Sequence, residues 1–115
     1  MKCVAYFRTA NREDNYTSLL IQMEMVKDFI AQNNWQLESV YADIGFGIDI
    51  NENLHKMIED AKKGKIDVII ASDPARISRN REVLFNILAK LRKESKVHII
   101  TVDNQINTFL NSSIS

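Results

Sequence analysis

Short apolar runs alternate along this chain with stretches whose apolar residues recur every three or four positions, and no other feature restricts the fold as much. Cys3 to Phe7 reads as a strand buried on both faces. From Ser18 onward, Leu19, Met23, Val26 and Ile30 form one stripe of a helix. Asn33 and Asn34 offer that helix a left-handed stop. Leu37 to Ala42 reads as a second strand, polar enough to lie near a sheet edge. Leu54, Met57, Ile58 and Ala61 mark a second helix, with Asn51 as its N-cap. Lys62 and Lys63 complement its dipole, and Gly64 ends it. Asp67 to Ala71 is a third strand. A third helix runs from about Asn80 to Lys93 with Leu84, Ile87, Leu88 and Leu91 inward, and Val97 to Val102 is a fourth strand.

Four strands separated by helices imply right-handed crossovers. The expected fold is therefore α/β, with a mostly parallel sheet of about four strands and helices on both faces, three layers in all. A chain of 115 residues is one domain. Residues 1–103 are read as that domain and 104–115 as a polar C-terminal segment with a brief apolar group at Phe109 and Leu110. Fifteen basic residues balance fifteen acidic ones, so charge gives no general argument for nucleic acid, membrane or acidic partners. Cys3 is the only cysteine, which excludes an internal disulfide and suits a buried small hydrophobe in a cytosolic protein. The N-terminus has no signal-peptide core and no run approaches the ~18 apolar residues of a membrane span, so a cytoplasmic location is expected.

In an open parallel sheet, ligands bind beyond the carboxyl ends of the strands. Arg8 begins the first such loop, Asp43 the second, and the third contains Asp73, Arg76 and Arg79 just before a helix. Position alone leaves two readings open. Arg8, Arg76 and Arg79 converge on a phosphate or sulfate, for which guanidinium forks are suited, or they are solvated arginines paired with Asp43 or Asp73. Gly45-Phe46-Gly47 and Gly64-Lys65-Ile66 lack the remainder of any nucleotide-binding fingerprint and read as a turn and a helix stop. His55 and His98 have no further ligands at metal spacing, so neither a metal nor a cofactor is expected. Met23 and Met57 read as core filler and Trp35 as a packing residue.

Five motifs in order resemble a known family. Tyr6-Phe7-Arg8-Thr9-Ala10 is similar to the first-strand motif Tyr-x-Arg-x-Ser of the serine site-specific recombinases of the resolvase/invertase type. Ser18-Leu19 with Gln22 is similar to the Ser-Leu-x-x-Gln that opens their first long helix. Tyr41 to Gly47 resembles their Tyr-x-Asp-x-Gly-Ser-Gly loop, and Asp60-Ala61 with Gly64 to Ile70 resembles the approach to the third strand. Arg76-Ile77-Ser78-Arg79-Asn80 resembles the Asp-Arg-Leu-Ser-Arg-Asn motif after its first position. The resemblance runs from Lys2 to about Val102 and implies the N-terminal catalytic domain. In that family a serine hydroxyl attacks a DNA phosphodiester, arginines stabilise the phosphoryl charge, and no metal takes part. The resemblance gives Arg8, Arg76 and Arg79 as DNA-phosphate ligands, with Gln22 and Asp43 supporting the site.

The departures fall on chemistry. Ala10 stands at the position of the nucleophilic serine, and Ala75 replaces the acid before Arg76. Asn51 stands where an arginine is expected, and Phe46 where the family has a small serine. Thr9, as an alternative hydroxyl, should point to the opposite side of the strand. The expected function is thus a recombinase catalytic domain impaired in strand cleavage, with DNA as its partner. The alternative is a non-enzymatic module that binds DNA phosphates or associates with an active recombinase. A phosphoacceptor signalling domain would need clustered carboxylates where Arg8 and Thr9 stand. Family members continue into a long dimer-forming helix and a helix-turn-helix domain. Both are expected to be absent here, leaving only weak dimer or tetramer formation.

Overall fold

A computed structural model describes residues 1–9, 15–44 and 51–110. The expectations for Ala10 and for Gly45, Phe46 and Gly47 fall outside the described residues. The elements follow in the order β1 (Cys3–Thr9), α1 (Asn15–Gln32), β2 (Leu37–Ile44), α2 (Glu52–Lys62), β3 (Val68–Ala71), a 3₁₀ turn (Pro74–Arg76), α3 (Arg81–Ser95) and β4 (His98–Thr101). The four strands form one sheet in the order β2-β1-β3-β4, and every neighbouring pair is parallel. This is the α/β architecture the alternation predicts, with the polar β2 at an edge.

Alternation of side chains along β1 divides the core in two. Cys3, Ala5 and Phe7 face α1, where Val26 and Ile30 close over them together with Val68, Ile70 and Ile100. Val4 and Tyr6 face the opposite side, packed with Leu54, Met57 and Ala61 of α2 and Leu84, Leu88 and Leu91 of α3. The α1 stripe needs one correction. Met23 is 41% exposed, whereas its neighbour Gln22 is only 1% exposed, so the helix turns an amide rather than a thioether to the sheet. Trp35 packs edge-on against Phe29, as a junction residue should.

The stops behave as the sequence indicates. Asn34 and Gly64 both take positive φ, 54° and 75°, where the α1 and α2 backbones leave their helices. Asn80 caps α3 by accepting from the Val83 N–H at 3.1 Å. Asn51 sits at the N-cap of α2 but makes no capping bond there, and its Oδ1 is buried with no hydrogen-bond partner among the described residues. Asp43 performs that task from the end of β2. After β4 the chain turns back, with Asn107 bridging antiparallel to Ile100 and both Ile106 and Thr108 buried.

Candidate functional site

The connection from β1 to β2 passes over one face through α1, and those from β2 to β3 and from β3 to β4 pass over the other through α2 and α3. The direction of winding therefore reverses between β1 and β3. A crevice opens there, beyond the carboxyl ends of these two strands, where open α/β sheets bind ligands. The two strands also differ in length. β3 pairs with β1 only from Cys3 to Ala5, so Tyr6 to Thr9 run on past it. The overhanging backbone needs other hydrogen-bond partners.

Gln22 and Arg76 supply them. The Arg8 N–H donates to Gln22 Oε1 at 3.0 Å, and Gln22 Nε2 donates back to the Arg8 carbonyl at 2.9 Å. A side-chain amide thus stands in for the absent strand. Ser18 holds that amide from one turn earlier, its Oγ and carbonyl accepting from Gln22 Nε2 at 3.1 and 3.3 Å. The Arg76 Nη1 donates to the same Arg8 carbonyl at 3.0 Å, tying the loop after β3 to the end of β1. Arg76 Nε lies 3.4 Å from Asp73 Oδ2, an ion-pair distance, yet Nε is buried without a hydrogen bond among the described residues. Misalignment reconciles the two facts, and with both side chains about a third exposed the pair adds little.

Asp43 faces Arg8 across the β1–β2 register and is 3% exposed. Its Oδ2 accepts from the Tyr6 hydroxyl at 2.6 Å and from the Leu54 N–H at 3.0 Å, while Oδ1 accepts from the Asn53 N–H at 2.9 Å. The carboxylate therefore caps α2 and compensates the positive end of its dipole. Burial first, and then the Asp43 carboxylate, push the Tyr6 phenol far above its ordinary range; the Arg8 guanidinium lies near enough to act on it in the opposite sense. Tyr6 was legible only as a motif letter, although a tyrosine in a strand buried on both faces must find its hydroxyl a partner.

The end of β1 is thus tied through the Arg8 backbone to Gln22 and Arg76, with Asp43 facing Arg8 across the β1–β2 register. Arg79 is exposed and lines an open groove of about 780 Å³ with Ser78, Arg81, Phe85 and Ile106. Arg8 and Arg76 do not line that groove. Ala75 is exposed on the 3₁₀ turn. Thr9 is buried at 3%, on the face of β1 opposite Arg8. Among the described residues no cluster of three or more His, Cys, Asp or Glu could hold a metal, and no helix is long and apolar enough to cross a membrane.

The structure is similar to the N-terminal catalytic domain of TP901-1 integrase, with a TM-score of 0.83 at 19% identity over 95% of this chain and 83% of that one. It is similar to the same degree, TM-score 0.83, to a resolvase family site-specific recombinase from Streptococcus pneumoniae, at 23% identity over 99% of this chain and 83% of that one. The C-terminal catalytic domain of ISC1926 TnpA, an IS607-like serine recombinase, superimposes with a TM-score of 0.72 at 18% identity, covering 89% of this chain and 70% of the other. At such identities the likeness shows the fold alone. No curated protein matches the sequence. The family model described as the resolvase N-terminal domain matches residues 3–113, nearly the whole chain, and on that match this chain belongs to the resolvase family of serine recombinases.

Proposed function

We propose that this domain binds the DNA backbone through Arg8, Arg76 and Arg79 and is impaired in cutting it. The observation that carries the reading is the Arg76 to Arg8 carbonyl bond at 3.0 Å, which anchors two arginine-bearing segments at the switch point of the sheet. Guanidinium groups carried on those segments suit the non-bridging oxygens of a phosphodiester, and in phosphoryl transfer they would stabilise the charge that builds on those oxygens. Attack needs a hydroxyl, and Ala10, two residues past Arg8, has none. Thr9 does not replace it, being buried on the other face of the strand. Ala75 likewise offers no acid to the leaving oxygen.

The test uses a short duplex and a supercoiled plasmid. Duplex binding followed by anisotropy should weaken with salt, and Arg8→Gln or Arg79→Gln should each reduce the slope of log K against log salt by about one. The plasmid should remain un-nicked, with no covalent protein–DNA product after denaturing electrophoresis. A covalent product from the unaltered chain would overturn the impairment. Unchanged salt slopes would overturn the arginine assignment. Ala10→Ser then asks whether the hydroxyl alone is missing, and cleavage by that variant would show Ala75 and Asn51 to be tolerated.

A further inference from the structure

Helix α1 carries apolar residues that its own sheet does not use. Val26 and Ile30 face the sheet and Gln22 reaches the end of β1, so the opposite side of the helix points outward. That side holds Leu20 and Ile21, 60% and 55% exposed, followed by the exposed residues Glu24 and Asp28. Glu24 lies four positions after Leu20 and three after Ile21, and Asp28 seven after Ile21, so the four share one stripe. Lys27 flanks the stripe and leaves it net acidic. Its apolar part lies toward the N-terminus of α1 and its acidic part toward the C-terminus.

The groove of about 780 Å³ on the other face of the sheet has the converse pattern. Arg79 and Arg81 stand at the N-terminal end of α3, and Leu84, Phe85, Leu88 and Ile106 line the groove with them. Phe85 is 50% exposed, although it shares that lining with the buried Leu84 and Leu88. Asp73 also lines the groove, but its Oδ2 accepts from Ser72 Oγ at 3.0 Å and lies beside Arg76 Nε. The groove is therefore basic at one end and apolar along the rest.

We propose that this groove takes α1 of a second copy of the chain, with Glu24 and Asp28 against Arg79 and Arg81 and with Leu20 and Ile21 over Phe85 and Leu88. The spans agree. Ile21 to Asp28 and Arg81 to Leu88 each cover roughly 10 Å of helix axis. Setting acids on arginines makes the two helices antiparallel, which also brings the C-terminal end of α1 toward the positive N-terminal end of α3. A chain cannot make this contact with itself, because its α1 and its groove lie on opposite faces of the sheet. The contact is head-to-tail, each copy offering one helix and one groove. One helix in one groove is small beside the roughly 1,200–2,000 Å² of a stable interface, so the association is transient and weakens with salt.

Sedimentation equilibrium from about 10 μM to about 1 mM, the range of weak contacts, should show the average mass rising with concentration. Glu24→Arg and Arg81→Glu should each weaken association by about fivefold or more, since each turns an attraction into a repulsion. An equimolar mixture of these two variants should recover it, because one keeps the native groove and the other the native helix. The reversal is placed at Arg81 rather than Arg79, so the outcome does not depend on DNA binding. Leu20→Ser and Phe85→Ser should also weaken association, while Val40→Ser and Val83→Ser, at comparably exposed apolar positions elsewhere, should not. All six positions are on the surface, so the circular dichroism of each variant should match that of the unaltered chain. A constant monomer mass, a mixture no more associated than its parts, or a loss through Val40 or Val83 would overturn the proposal.

Discussion

The bond pair on the Arg8 carbonyl makes the sharpest prediction. Gln22→Met keeps side-chain length and removes both ends of the amide. The Arg8 N–H then loses its acceptor, and the Arg8 carbonyl keeps only Arg76. Orphaning a buried donor costs about 1–3 kcal/mol, and each lost hydrogen bond about 0.5–1.5 kcal/mol. The Arg8 end is only partly buried, so water recovers some of this, and the lower half of those ranges applies. The expected loss is about 2 kcal/mol, which with a urea m-value of about 1–1.5 kcal/mol/M moves the midpoint by about 1.5 M. Arg76→Met, which retains the aliphatic stem, should cost about 1 kcal/mol alone. Because each residue is the other's substitute on one carbonyl, the double variant should cost about 1 kcal/mol more than the sum. Urea unfolding followed by circular dichroism, with m unchanged across the four proteins, measures the cycle. Additivity within about 0.4 kcal/mol would refute the shared carbonyl as the tie between β1 and the loop after β3.

Asp43→Ala leaves the Tyr6 hydroxyl and the Asn53 and Leu54 N–H groups unpaired, and should cost about 3–5 kcal/mol by urea denaturation, with exchange protection lost first in the opening turn of α2. At Gly64 a Cβ would meet nothing within 4 Å, so Gly64→Ala should cost only the left-handed backbone term of about 1 kcal/mol; a larger loss of stability would reveal a packing role. Burial and the Asp60 carboxylate, 2.6 Å from its hydroxyl, push the Tyr41 phenol up to about 12. Asp60→Asn should therefore let Tyr41 ionise at lower pH, seen as phenolate absorbance near 295 nm appearing earlier in an alkaline titration (about 295 nm being the usual phenolate band). An unchanged titration would contradict that pairing. For Asp60 itself the Tyr41 hydroxyl leads the causes that lower its pKa, so its share of stability is present at neutral pH and lost as pH falls through that lowered value; Tyr41→Phe should shrink that acid-side loss in urea midpoints.

Local physics was legible in the sequence. Strand and helix identities, the left-handed stops at Asn34 and Gly64 and the edge position of β2 all follow from apolar period, backbone permissiveness and polarity, which act within a few residues. The five spaced motifs carried the family, because motif order survives where overall identity is low. The candidate site residues were named from strand-end position and from those motifs, but the bonds that hold them were not. Helical period put Met23 in the core stripe, and the fold buries Gln22 instead. The reason is that β3 is four residues long against seven for β1, so a side-chain amide must satisfy the backbone left over, and no local rule compares the lengths of strands 60 residues apart. Asn51 has the composition of a cap, yet Asp43 caps α2 from another element, since the closest acceptor in space outranks the closest in sequence. The sequence by itself thus determined the alternation, the stops and the family. Only the tertiary structure decided which polar groups meet at the end of β1, because those pairings depend on how far each strand and loop reaches in space.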